Sequence, residues 1–553
     1  MSAHMQKDGQ TETLSFTAKA GMQLHAWIGP RGSGTAELSM HIPPLDTVGL
    51  KTTETGITAV HYICDTAGAA QLKWNRDDTD CRAIYVFDPA TVTDKGIEIL
   101  YVDPITRRSN PNGPAGFRPP FGWMNDPNGF CYHDGCFHLF YQFNPTSLAW
   151  DRMHWGHAVS KDLYTWTDLP VILFPDPAFP GDGGAFSGSS WPAEGAGLDL
   201  FFTHHRHGAD EVEVQCRART SDLVGIDAEP EVLIDARPAD ARERMDFRDP
   251  FITRGPDGRL YMVLAGRNRA EALLFLYRQA EDESWDYQGV LYSEPRFGGV
   301  AAECPVLLPF GDPQDAGTSW LLIFSLLGSR SKVKNRRNVT LALVGRFDGV
   351  QFTPDLEREL DHGPHFYAFQ ACNSPEGIIG LGWVANWSEL HAGKKLESGM
   401  TWPRQLALLD APDGSRQLSV LPYRIPGDGP TLDIAANDEP VAIPAADILE
   451  IKLSIPKGND PLHMTLGGDI DLDLILSERS LIYRCADMDQ RELDVPFTGV
   501  GGVRVLLHHG TLEIFDQAGE WSSTLACAFY GKTSHINIAV SGKAQMSVAA
   551  RSV

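Results

Sequence analysis

Three acidic residues sit in short stretches that do not need an acid to fold. Asp126 lies within Gly122-Trp-Met-Asn-Asp-Pro-Asn-Gly-Phe130, where proline fixes one dihedral and Asn-Gly tolerates left-handed ones, so the turn closes without a carboxylate. Asp249 follows a cation in Asp246-Phe-Arg-Asp-Pro250, and Glu303 stands in the apolar run Ala301-Ala-Glu-Cys-Pro-Val-Leu-Leu308. Acids in unequal surroundings are what glycosyl transfer requires: one protonates the leaving oxygen while another meets the positive charge growing at the anomeric carbon. Local sequence assigns Asp126, among amide donors, to an ionised nucleophile and Glu303, in an apolar setting, to a protonated acid. It assigns Asp249, beside Arg248, to a charged group that binds sugar hydroxyls. The bland alternatives are a turn acid, a solvent-facing strand acid and a structural ion pair, respectively.

The acids can cooperate only if the chain brings them together. From residue 117 to 412, candidate innermost strands begin near Asp126, Phe186, Asp249, Glu303 and Phe366 at near-regular spacing. Each is followed by a turn and a strongly apolar strand, such as His138-Leu-Phe-Tyr-Gln-Phe143 or Trp320-Leu-Leu-Ile-Phe-Ser325. Repetition of this kind predicts a five-bladed β-propeller, in which equivalent positions of successive blades surround one channel although they are distant in sequence. Residues 1–108 alternate apolar and polar side chains at strand length, as in Gln23-Leu-His-Ala-Trp-Ile28, and read as a β-rich accessory domain. The Pro/Gly-rich segment 109–116 reads as a linker, 413–430 as a second linker, and 431–553 as a C-terminal β-sandwich. The fold class is all-β.

The formal net charge of −25 excludes a nucleic-acid partner, because a polyanion would meet a repulsive field. No apolar run approaches the length needed to cross a bilayer, and the first residues lack the apolar stretch of a secretory signal, so the expectation is a cytoplasmic protein. The cysteines are odd in number and lack CxxC pairs, which fits free thiols; Cys131 and Cys136 flank a hairpin turn where a cross-strand disulfide would be strained. The run His204-His-Arg-His207 has no carboxylate or cysteine at ligand spacing and reads as a strand end, not a metal site. Cys304 has no partnered histidine and is assigned to packing. A homo-oligomer is compatible with the sequence.

The strings Trp123-Met-Asn-Asp-Pro-Asn-Gly129, Arg248-Asp-Pro250 and Glu303-Cys-Pro305, in that order, resemble the signature motifs of glycoside hydrolase family 32, the invertase, inulinase and levanase family. Tyr141-Gln-Phe-Asn-Pro145, Phe186-Ser-Gly-Ser189 and Phe366-Tyr-Ala368 extend the resemblance. It implies a propeller followed by a sandwich over roughly residues 117–553, and leaves the N-terminal hundred residues outside the common core. It also implies an exo-acting retaining β-fructofuranosidase that hydrolyses sucrose or short fructo-oligosaccharides, with Asp126 as nucleophile, Glu303 as acid/base and Asp249 as transition-state stabiliser. Asn125, Gln142, Trp150, Phe186, Ser187 and Arg248 match residues lining the family's fructose pocket, and Trp383 is expected in its wall. Trp150, Phe186 and Trp383 could equally be blade core. No metal or organic cofactor is implied, and the partner is a small sugar. Within the family the alternatives are an exo-inulinase or levanase, or a fructosyltransferase. Outside it stand an inverting arabinan-type glycosidase and a sugar-binding protein without turnover. Ala302, Val306 and His365 depart from the family pattern, and the sequence places them around the acid and the leaving-group side.

Overall fold

In the computed structural model of the chain, the structure describes residues 4–551 except 109–114, 176–183, 207–211, 242–245, 331–336, 392–397, 411–413, 428–430, 445, 455–461, 468–471, 477–479, 486–491, 498–501 and 527–534. The period-two patterning of the N-terminal region becomes two antiparallel sheets. One runs His4–Asp8, Thr11–Ala18, Gly68–Asn75, Ala36–His41, Val48–Thr52 in spatial order, and the other runs Thr58–Ile63, Gln23–Pro30, Thr79–Phe87, Glu98–Val102. Alternate residues, Leu14, Phe16 and Ala18 on one strand and Leu24, Ala26 and Ile28 on another, point into a shared core. Sequence patterning misses Gly68–Asn75, a central strand, because Gly-Ala-Ala supplies little hydrophobic contrast. The outer face of the second sheet is not left in water. Trp27, Tyr85 and Phe87 pack with Phe121, Phe143, Leu169 and Val171, the Tyr85 hydroxyl accepts from the Val171 amide at 3.0 Å, and Trp27 Nε1 donates to His154 Nε2 at 3.3 Å.

Five four-stranded antiparallel sheets follow. Their innermost strands are Trp123–His133, Gly184–Pro192, Phe247–Arg254, Ala301–Pro309 and Tyr367–Ser374. Each touches its neighbour, and the first touches the last, so the ring closes into a propeller. The segment 413–430, read as a linker, instead holds Arg416–Pro422, the fourth strand of the last blade. Gly414, Pro422, Pro426 and Gly427 disguise a short run in which Leu418 and Val420 are buried. Most of the other predicted linker, 109–116, lies outside the described residues.

The C-terminal strands form one ten-stranded sheet. Its long strand His535–Arg551 pairs through its first part with Leu462–Gly467 and through its last with Ile448–Ser454. The sheet thereby folds over itself, and Leu449, Ile451 and Leu453 share a core with Met464, Leu466 and Leu474. It docks on the last blade through a fully buried ionic cluster. Arg404 donates to Glu513 at 2.7 Å and contacts Asp361 at 2.9 Å, with its guanidinium 4.8 Å from the Phe366 ring and 5.0 Å from Phe515. Burial would raise Asp361, but Arg404, the Gly363 amide and Thr524 together hold it below the usual carboxylate range. Taking one member from such a cluster strands the others as uncompensated charges. Arg404→Met should therefore destabilise the junction by about 3–5 kcal/mol and lower the melting temperature of the whole chain. An unchanged melt would show that the cluster is not what holds the two domains together.

Candidate active site

A single local device builds the site. Near the start of every innermost strand, two residues oppose one on the partner strand. Asn125 and Asp126 fall between the pairs Met124↔Phe143 and Pro127↔Tyr141, and Phe186 and Ser187 between Ala185↔His204 and Gly188↔Phe202. Asp249 and Pro250 fall between Arg248↔Ala265 and Phe251↔Val263, Cys304 and Pro305 between Glu303↔Ser325 and Val306↔Ile323, and Ala368 and Phe369 between Tyr367↔Trp383 and Gln370↔Leu381. Such bulges re-aim side chains and tolerate proline, which has no amide to give to the ladder. In the third, fourth and fifth blades the first bulged residue is left-handed, with φ of 62° at Asp249, 49° at Cys304 and 51° at Ala368. Because the innermost strands share one direction in a propeller, all five bulges meet at the same end of the channel.

Equivalent positions on neighbouring blades then bond to one another. The second bulged residues of the first two blades pair: Ser187 Oγ donates to Asp126 Oδ2 at 2.8 Å. The first bulged residues of the third and fourth pair: the Cys304 amide donates to Asp249 Oδ2 at 2.8 Å. The residues just before the bulge form a row. Arg248 Nε and Nη2 donate to Glu303 Oε1 at 3.1 and 2.6 Å, and Tyr367 Oη donates to Glu303 Oε2 at 2.5 Å. Cys304 Sγ also lies 3.6 Å from Asp126 Oδ2, so one residue touches two of the three acids and follows the third. The predicted acids Asp126, Asp249 and Glu303 are brought together, as are Asn125, Ser187 and Arg248.

The electrostatics differ from the expectation drawn from local sequence. Burial and the Glu303 charge push the Asp126 carboxyl up to about 6, against Ser187, Asn125 and Cys304, so neighbouring donors moderate a rise rather than produce a depressed value. Burial likewise raises Asp249, opposed by Arg248 and the Cys304 amide and helped by the Glu303 and Asp126 charges. The Arg248 guanidinium is directed not at Asp249 but at Glu303, Glu213 and Asp246. Glu303 therefore sits between a cation and a phenol, not in an apolar setting.

The three departures are packed in cores. Ala302 and Val306 are buried in the cluster shared by the third, fourth and fifth blades. His365 faces the C-terminal sheet, where its Nδ1 accepts from the Ala526 amide at 3.0 Å.

Gln142 donates through Nε2 to the Ala185 carbonyl at 2.9 Å, tying the first blade to the second bulge. Aromatic rings border the acids. Trp150 meets Phe186 edge-on at 6.0 Å, and Phe186 stacks on His205 at 4.4 Å. Trp383 is fully buried behind Trp123 at 6.1 Å. Trp387, on the short helix Trp387–His391, lies 5.0 Å from Trp383 and 6.5 Å from Trp150. Sequence reading missed Trp387, Tyr367 as a partner of Glu303, and Glu213. Aligning the blades by their bulges identifies Tyr367, which occupies the position of Arg248 and Glu303. Nothing in the local sequence points to Glu213, whose bonds to Arg248 and the Phe247 amide reach into the next blade. Among the described residues, Cys64, Cys81, Cys131, Cys136, Cys216, Cys304 and Cys372 are free thiols, and no helix is long and apolar enough to cross a membrane.

Residues 116–422 match the model of the glycosyl hydrolases family 32 N-terminal domain. The chain is 33% identical over 313 residues to a sucrose-6-phosphate hydrolase of Zymomonas mobilis, covering 53% of this chain and 59% of that protein. It is 30% identical over 440 residues to a sucrose-6-phosphate hydrolase of Escherichia coli, covering 73% of this chain and 86% of that one. Among solved structures, a glycoside hydrolase family 32 protein from Bifidobacterium adolescentis superposes with a TM-score of 0.78 at 21% identity, over 98% of this chain and 99% of that chain. The N-terminal sheets, outside the family model, thus have a counterpart in a solved fold. With the bulged acids of its propeller and these matches together, the chain belongs to glycoside hydrolase family 32.

Proposed function

We propose that the protein is a retaining, exo-acting β-fructofuranosidase that releases terminal fructose from sucrose or short fructo-oligosaccharides. The observation that carries this reading is the convergence of Asp126, Asp249 and Glu303 around Cys304, with Asp126 and Glu303 close enough to perturb one another. Asp126 Oδ2 is held by Ser187, while Oδ1 is buried and makes no well-formed hydrogen bond. The Asp126 carboxylate is the group that would attack C2 of the fructosyl unit. Glu303 gives its proton to the departing glycosidic oxygen, so the C2–O bond breaks as the Asp126–C2 ester forms. Glu303, now ionised, takes a proton from water; the resulting hydroxide opens the ester, and Asp126 returns as carboxylate. Asp249, fixed by the Cys304 amide, accepts hydrogen bonds from the fructose hydroxyls that strengthen as the ring flattens. Trp150 and Phe186 supply apolar faces for the furanose.

Both relatives above are named for sucrose 6-phosphate, so the substrate panel pairs that ester with sucrose, inulin and levan, each at low and high concentration. Fructose from the disaccharides with little from the polymers is expected. Release chiefly from the polymers would favour an inulinase or levanase, and fructosyl transfer exceeding release would favour a transferase. Asp126→Asn and Glu303→Gln should each lower kcat by at least about 10³-fold with the melt unchanged, and Glu303→Gln should recover on a fructoside whose leaving group needs no proton. Sucrose turnover at the parental rate in either variant would refute the assignment.

The pH profile gives a separate check. The nucleophile must be ionised, and its carboxyl lies at about 6, so kcat/KM should fall as pH drops through about 6. The Ser187 hydroxyl favours the carboxylate; removing it raises the carboxyl further, so in Ser187→Ala the acid limb should move up by about half to one pH unit. A limb that stays put or moves down would contradict the role of that hydrogen bond.

A further inference from the structure

The charge that faces Glu303 is itself held from behind. Arg248 Nη1 donates to Glu213 Oε1 at 2.9 Å and to Asp246 Oδ1 at 2.8 Å. Glu213 reaches it from the second blade, on the strand Val212–Thr220, and its Oε2 accepts from the Phe247 amide at 2.6 Å. Glu213 is almost wholly removed from solvent. Although burial alone would raise it, Arg248, His205 and the Phe247 amide hold it down at about 2, so it stays ionised wherever the enzyme would work. Asp246 shares its other oxygen with Arg267 at 2.5 Å. One guanidinium therefore bonds to Glu213, Asp246 and Glu303, with the Asp249 charge close enough to act on it.

We infer that Glu213 is a positioning residue for the proton donor: by anchoring Arg248 through Nη1 from the neighbouring blade, it aims Nε and Nη2 at a single oxygen of Glu303 and takes up part of the cation's charge. The inference rests on the reading of Glu303 as acid/base. With two N–H groups on Oε1, a proton on Glu303 is confined to Oε2, the oxygen facing Tyr367. Were Arg248 free of Glu213, its Nε and Nη2 would no longer be fixed on one oxygen of Glu303, and the proton would no longer be confined to the other. The other charged or titratable groups around the pair are Asp126, Asp249, Cys304 and Tyr367 on the channel side and Arg237, Arg267 and His205 behind.

The test is kcat and KM of Glu213→Gln on sucrose and on p-nitrophenyl β-D-fructofuranoside. On sucrose kcat should fall by about tenfold or more while KM changes little. On the aryl fructoside, which departs with little need of a proton, kcat should be largely retained. Asp246→Asn, a substitution suited to the left-handed φ of 64° at that position, loosens the same Nη1 and should split the two substrates in the same way should the Gln variant fold poorly. Equal losses on both substrates in either variant would reduce Glu213 to a structural brace and overturn the inference. Absence of fructose release by the parent protein would instead reject the fructosidase reading itself.

Discussion

The site depends on one backbone irregularity repeated around a ring. A regular strand sends alternate side chains to opposite faces, so an unbroken innermost strand could not turn two successive residues toward the channel. Two-against-one pairing at the same point in all five blades removes that restriction. It lets Asn125 and Asp126, then Phe186 and Ser187, act as adjacent groups. The left-handed residues at Asp249, Cys304 and Ala368 cost on the order of 1–3 kcal/mol each, offset by the apolar packing between blades, as around Ala302 and Val306. Loosening that packing would act on the acids through the backbone that aims them.

The same geometry explains how three carboxylates coexist in one funnel. Each is given a different partner by the blade beside it: Ser187 for Asp126, the Cys304 amide for Asp249, and Arg248 with Tyr367 for Glu303. Hydrogen bonds to the charged form and a neighbouring cation act in opposition to burial and mutual repulsion, and the balance differs at each acid. A site of equal acids would have no division of labour. The row Arg248, Glu303, Tyr367 shows that the chemistry is laid out by blade equivalence, with the supporting charge of Glu213 added from a second-blade strand away from the channel lining.

The repeat of innermost strands, the all-β class and the meeting of Asp126, Asp249 and Glu303 were legible because proline and acid recur together at each bulge of the first, third and fourth blades. Glu213 and Trp387 were not: the cation that Glu213 meets comes from another blade, and Trp387 stands on a single short helix that no periodicity announces. The surroundings of Glu303 were misread for a related reason: the apolar run around it in sequence gives no sign of Arg248 and Tyr367, which reach its carboxylate from two other blades. The strand Arg416–Pro422 was hidden by flanking glycine and proline, and its burial is decided by the last blade and the C-terminal sheet. Composition marks where a chain turns, not what packs against a short run between turns.

Asp126, one of whose oxygens is held by Ser187, is proposed to form a covalent bond to the sugar. Mass spectrometry of peptides from Glu303→Gln quenched during turnover of an activated fructoside tests it most directly, because loss of the acid/base slows release of the ester more than its formation. One dehydrated hexose is expected on the peptide containing Asp126. A hexose on the peptide bearing Asp249 or on the peptide bearing residue 303, or product formed at inverted configuration with no adduct at all, would contradict it.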